Sequence, residues 1–183
     1  MTTRHALWRR LDTPGHDAAR LAPSGEGWRL QGSAVFLHEH GPAAVRYEVE
    51  LSADWKTLSA RLDGFVAGTP VDHAILRGPD GWVLDGTPAP GFAHLVDIDF
   101  GFTPATNLLQ LERVALAPGE AADVPVAWFD LGETGFTDLP QRYERLDASR
   151  YAYASPTAGY AGTLEVAENG FARIYPGLWE MIG

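Results

Sequence analysis

The chain has 183 residues, 45% of them hydrophobic and 21% charged, with a formal net charge of −10 and no cysteine. That length and composition suit one domain spanning residues 1–183, with an ordinary buried core. The acidic balance argues against a nucleic acid or an anionic membrane surface as partner, and the lack of cysteine excludes disulfides, thiolate metal sites and a cysteine nucleophile.

The opening stretch, MTTRHALWRRLDTPGHDAAR, lacks the apolar run of a signal peptide, and no segment approaches the roughly 18 apolar residues of a membrane helix. A cytoplasmic protein with no integral membrane segment is expected. The first predicted strand covers 28–37. The second covers 45–51, where Val45, Tyr47, Val49 and Leu51 alternate with Arg46, Glu48 and Glu50. His38-Glu39-His40-Gly41-Pro42 between them is a turn signal, so the two form a hairpin.

Strands follow over 56–66, 71–77 and 82–85, punctuated by Ala67-Gly68-Thr69-Pro70 and by the reversal Gly78-Pro79-Asp80-Gly81. In 94–100, Val96, Ile98 and Phe100 share one face of a strand, and Leu95, Asp97 and Asp99 share the other. Thr103-Pro104-Ala105-Thr106-Asn107 either caps a short helix through Leu108, Leu109 and Leu111, with Pro104 at the first helical position, or is a loop leading into a strand. Residues 123–131 are apolar on both faces and read as a central strand. Further strands cover 141–146, 150–154, 160–167 and 171–175, the last two joined through Asn169-Gly170. Residues 176–180 end in a turn of helix. So many short strands with turn chemistry between them predict a mainly β, antiparallel sandwich or barrel.

Asp97 and Asp99 on one strand face are costly to bury without partners. They serve as an acid/base pair, or they accept hydrogen bonds inside a polar patch. His38 and His40 face the same way on an extended chain and would make a metal site with Asp97 or His94, but they lie in a turn that reads as solvated. No metal or cofactor is therefore assigned. Nucleophile elbows, phosphate loops and dinucleotide fingerprints are absent. Tyr143, Tyr151, Tyr153, Tyr160 and Tyr175 crowd the last third beside Arg142 and Arg145. They are sheet residues, or they line a concave face with rings along an acyl chain and polar tips at a head group.

From Trp28 onward the order of motifs resembles the putative glycolipid-binding family, formerly a domain of unknown function. The matching pieces are Val45-Arg46-Tyr47-Glu48-Val49, Asp54-Trp55-Lys56-Thr57, Asp80-Gly81-Trp82, Val96-Asp97-Ile98-Asp99-Phe100 and Thr103-Pro104-Ala105-Thr106-Asn107. They continue with Gln141-Arg142-Tyr143, Tyr151-Ala152-Tyr153-Ala154-Ser155 and Tyr175-Pro176-Gly177-Leu178-Trp179. The chain departs from the family pattern at Leu58, where an arginine is usual, and at Ala93-His94, where Gly-Cys is usual. The resemblance implies a single-domain, strongly curved antiparallel sheet, an open or half barrel with a few short helices, similar to bacterial lipoprotein carriers. It also implies a binding role and supplies no catalytic residues.

Taken together these readings predict non-catalytic binding of an amphipathic ligand, a glycolipid or other acyl compound, in the concave face. Asp97, Asp99, Asn107, Arg113, Arg142, Tyr143, Tyr151 and Tyr153 are the candidate ligand-binding residues. Asp97 and Asp99 form a polar cluster with Thr106 and Asn107 that braces the sheet or lines the cavity mouth. The rivals are a small hydrolase or isomerase using Asp97 or Asp99 as acid/base, and an oligomeric interaction protein without a ligand, which a wholly packed concave face with no cavity would favour.

Overall fold

Apolar–polar alternation begins earlier than the sequence predicts. In the computed structural model, which describes residues 2–183, strands already begin at Arg4. β1 (Arg4–Arg10) turns Ala6 and Trp8 inward, and β2 (Gly15–Ser24) turns Asp17, Ala19 and Leu21 inward. Leu7 and Ala18 on the outer face blur the alternation in the sequence. A meander of β3 (Gly27–His38), β4 (Gly41–Leu51), β5 (Thr57–Val66), β6 (Thr69–Gly78), β7 (Gly81–Leu84) and β8 (Thr87–Ala89) follows.

Next come β9 (Asp97–Phe100), helix α1 (Asn107–Val114), β10 (Ala121–Asp123), β11 (Val126–Phe129) and β12 (Thr137–Leu139). The chain ends with β13 (Arg142–Arg145), β14 (Arg150–Ser155), β15 (Tyr160–Val166), β16 (Ala172–Tyr175) and β17 (Trp179–Met181). Residues 176–178 are a turn leading into β17, not the turn of helix the sequence predicts.

Fourteen strands form one antiparallel sheet in the order β10-β13-β14-β15-β16-β17-β1-β2-β3-β4-β5-β6-β7-β8. The sheet is strongly curved and does not close into a barrel. The remaining strands form a small sheet, β12-β11-β9. β11 is central there, which is why 126–129 is apolar on both faces, but its pairing with β9 is parallel. The connection between them runs through α1, as parallel neighbours require.

This small sheet and α1 fill the hollow of the large one. Ile98, Phe100, Phe102, Leu108, Leu109 and Phe129 are buried against Trp8, Leu21, Leu30, Val45 and Leu62 in a single core. A second core joins Leu111, Val124 and Val126 to Tyr143, Tyr151, Tyr153 and Leu164. Among the described residues, the middle of the concave face is therefore packed with side chains and not left open to an acyl chain. The amide of Ile98 donates to Thr57 Oγ1 (3.1 Å) and its carbonyl accepts from Gln110 Nε2 (2.9 Å), tying β9 to β5 and α1.

One inner-face contact sets the middle of the sheet. The ring of Tyr47 lies across Gly32, so a Cβ there would stand 2.1 Å from Tyr47 Cζ. That path lets Tyr47 donate its hydroxyl to Asp17 Oδ2 at 2.8 Å, beside Thr103, whose hydroxyl donates to the same oxygen. Gly32→Ala is expected to cost about 1–3 kcal/mol, because the ring must leave its place in a packed core. The urea midpoint reads this, and an unchanged midpoint would show that Tyr47 has room to move.

Candidate functional site

Alternation along β9 places Ile98 and Phe100 in the main core and Asp97 and Asp99 on the opposite face, against α1 and the start of β13. All four side chains are buried. The two carboxylates then part company. Arg113, in the last turn of α1, grips Asp97 in a two-pronged pair, Nε to Oδ1 at 2.8 Å and Nη2 to Oδ2 at 2.6 Å. Burial pushes the Asp97 carboxyl up, and the guanidinium opposes it.

Among the described residues no cation pairs with Asp99. Thr106 Oγ1 donates to its Oδ1 (2.5 Å) and Gln141 Nε2 to its Oδ2 (2.7 Å). The network continues through Tyr143, whose hydroxyl donates to Gln141 Oε1 (3.1 Å) and accepts from Asn107 Nδ2 (2.9 Å). Thr106 precedes α1 but does not cap it, since its hydroxyl is committed to Asp99. Burial pushes the Asp99 carboxyl up to about 6, against those two hydrogen bonds.

Asp99 also lines a cavity of about 260 Å³ between the small sheet and β14–β17. Its walls are aromatic: Trp128, Tyr153, Tyr160, Tyr175 and Trp179. Asp99, Asn107, Thr103 and Ser155 supply the polar side. The rings touch each other, with Tyr153 and Tyr175 centroids 5.7 Å apart and Tyr160 and Tyr175 centroids 5.1 Å apart. Tyr160 is held by its hydroxyl, which donates to the Pro176 carbonyl (2.9 Å). Burial raises the hydroxyl pKa values of Tyr143, Tyr153 and Tyr175, so these rings stay neutral. A wider depression of about 780 Å³ crosses the outer face, but it is an open trough over side chains such as Arg46 and Asp63 that pair with each other.

A family model described as putative glycolipid-binding matches residues 5–181. The chain belongs to the putative glycolipid-binding family. A crystal structure of a DUF1089 family protein from Pseudomonas aeruginosa has a similar fold, with a TM-score of 0.78 over 100% of this chain and 93% of that one, at 24% identity. No curated protein matches the chain.

In this member of the family, the predicted site residues separate into groups. Asp99, Asn107 and Tyr153 line the cavity, and Tyr143 sits behind them in the same network. Asp97 and Arg113 form the neighbouring ion pair. Arg142 lies elsewhere, on the exposed side of β13, paired with Asp123 (3.0 Å). Tyr151 lines a separate depression with Glu112 and Arg145. The metal grouping of His38 and His40 with Asp97 or His94 does not form, because Asp97 is held by Arg113 and His94 pairs with Asp138 (2.9 Å). His38, Glu39 and His40 do bring ligand atoms within 4.8 Å of one another. Nδ1 of His38 accepts from the His40 amide there, and Glu39 and His40 are exposed.

Trp128, Gln141, Ser155, Tyr160, Tyr175 and Trp179 belong to the site or its support although they are not among the predicted site residues. Gln141, Ser155, Tyr175 and Trp179 stand in the family motifs, and Tyr160 in the tyrosine-rich last third. Trp128 carries no local signal beyond being an aromatic residue in an apolar strand.

Proposed function

We propose that this protein binds a glycolipid, without catalysis, by taking one neutral sugar ring of the head group into the cavity beside Asp99. The observation that carries this reading is the wall of Trp and Tyr rings facing a carboxylate and an amide in a space of about 260 Å³. Rings offer apolar faces for the C–H side of a sugar, and Asp99 and Asn107 offer hydrogen bonds to its hydroxyls. Pockets for drug-sized ligands span roughly 300–1,000 Å³, so this space suits a small polar ring and not a sugar with its acyl chains. A buried carboxylate disfavours an anionic head group. The filled concave face leaves the acyl chains outside the fold, which revises the expected binding mode. A cavity persists although the concave face is filled, and that weighs against the ligand-free interaction protein.

The test is a titration with a panel of methyl glycosides, followed by NMR at the indole N–H groups of Trp128 and Trp179. Binding is expected to shift both, and Trp128→Ala should weaken it about tenfold while the fold persists. A panel that moves neither indole would overturn the reading.

A hydrolase or isomerase draws support from one observation, the Asp99 carboxyl raised to about 6 beside a cavity. Its expected partner carboxylate, Asp97, does not line that cavity and is neutralised by Arg113. Turnover of aryl glycosides that vanishes in Asp99→Asn would favour the enzyme.

A further inference from the structure

The hairpin between β3 and β4 closes with two residues. His38 pairs with Gly41, so Glu39 and His40 alone make the turn. Neighbouring segments hold its base from both sides. The Leu37 amide donates to the Pro14 carbonyl and the Ala67 amide to the Pro42 carbonyl, each at 2.8 Å, and Thr13 Oγ1 donates to the Leu37 carbonyl at 2.9 Å. Strand alternation puts His38 on the inner side with Phe36, their ring centroids 6.3 Å apart, while Leu37 points outward. The tight turn then brings His40 back beside His38. Their rings lie 5.2 Å apart, and His40 Nε2 stands 3.6 Å from Glu39 Oε1.

One donor atom from each of His38, Glu39 and His40 lies within 4.8 Å of the other two. Among the described residues, no other group of three His, Cys, Asp or Glu side chains comes so close. Donors that share one first-row metal ion each sit about 2 Å from it, and so roughly 3–4 Å from one another. The three side chains therefore need to draw together by only about 1 Å. Glu39 and His40 are free to do so by changing rotamer, since their side chains are 78% and 69% exposed. The His40 amide donates to Nδ1 of His38 at 3.2 Å, a long bond at an exposed turn that an ion can displace.

The surroundings favour a cation. The turn borders a depression that also takes in Asp12 and Asp130. Arg10 lines it too, but it is turned onto the Phe36 and Trp179 rings and paired with Asp12 at 2.8 Å. The net charge of −10 adds a long-range attraction. The donor set decides which cation fits. Two imidazoles and one carboxylate suit Zn2+, Ni2+ or Cu2+, whereas Mg2+ and Ca2+ take oxygen donors.

We propose that the β3–β4 turn is a binding site for a divalent transition metal ion of the zinc type, held by His38, Glu39 and His40, with its remaining positions left to water. The three donors are consecutive in the chain, so the site stands apart from the cavity beside Asp99 and from the head-group reading of it.

The test is a calorimetric titration of untagged, chelator-stripped protein with ZnCl2 at pH 7.5, with MgCl2 as the comparison. One zinc ion per chain is expected, bound far more tightly than magnesium. His38→Ala and His40→Ala should each weaken zinc binding about tenfold or more, because either removes a ligand. His94→Ala should leave it unchanged, since that ring is paired with Asp138 elsewhere. Circular dichroism checks that each variant keeps the wild-type fold. Substoichiometric Cu2+ should broaden the backbone amide signals of residues 37–41 before any others. No zinc binding up to about 1 mM overturns the proposal. So does equal affinity in both turn variants, or copper broadening centred on another histidine. Magnesium binding as tight as zinc also overturns it, because it would show a diffuse acidic surface in place of an imidazole site.

Discussion

Arg113→Ala is expected to destabilise the protein by about 3–5 kcal/mol, measured by urea unfolding at pH 7.5, because it leaves the Asp97 carboxylate buried without its cation. The Asp97 side chain is 1% exposed and the Arg113 side chain 24%. The converse change is therefore milder: in Asp97→Ala the freed guanidinium reaches water, and a cost of about 2–3 kcal/mol is expected. A double Asp97→Ala/Arg113→Ala protein should be more stable than the sum of the single losses implies, since each mutation removes the other's unpaired charge. The Arg113→Ala penalty should also shrink as pH falls, because burial already favours protonated Asp97. A cost under about 1 kcal/mol, or strict additivity, would show that the pair does not brace β9 against α1.

That pair shows what spacing along the chain can reveal and what it cannot. The alternation in 96–100 correctly puts Asp97 and Asp99 on one face, and the turn signals at 38–42, 78–81 and 168–170 correctly mark strand reversals. Neighbours on one strand face nevertheless have different environments, because different elements cover them. Asp97 lies under the end of α1, and Asp99 lies beside Gln141 and the cavity. Nothing local in 94–107 distinguishes them, although in the fold Asp97 meets Arg113 and Asp99 lines the cavity. The same limit hides the filling of the half-barrel. The single central strand predicted over 123–131 is not formed: Asp123 ends β10 in the large sheet and only Val126–Phe129 is central, in the small sheet, and the apolar pattern does not say that this strand pairs parallel with β9. The first two strands escape notice because outward Leu7 and Ala18 break the alternation, and because inward Asp17 looks like a surface residue until Tyr47 and Thr103 come round it.

Lowering the pH from 8 to about 4.5 is expected to stabilise the protein, contrary to the usual course of acid denaturation. Burial raises the Asp17 carboxyl from 3.8 to about 6, against hydrogen bonds from Thr103 and Tyr47, and it raises Asp99 from 3.8 to about 6 in the same way. Between these values the folded chain binds protons that the unfolded chain releases, so stability falls as pH rises through about 6 and levels off above it. Raising a carboxyl from 3.8 to about 6 corresponds to about 3 kcal/mol per group, and the combined change should be on the order of 2–5 kcal/mol. Asp54, Asp85 and Asp147 have lowered pKa values and act in the opposite direction, but only below about pH 4, which sets the lower edge of the window. Net charge confounds the comparison, because protonation also relieves the excess of negative charge. Asp17→Asn separates the two effects. Oδ1 of Asp17 is buried with no hydrogen-bond partner among the described residues, so an amide can keep the oxygen that accepts from Tyr47 and Thr103 and place its nitrogen at that position. This variant should be at least as stable as the wild type at pH 8 and should lose roughly half of the pH dependence. Urea midpoints across the pH range decide the matter. A wild-type midpoint that declines steadily from pH 7 to 4.5 would mean that Asp17 and Asp99 are charged in the folded protein, and that the hydrogen bonds around them outweigh their burial.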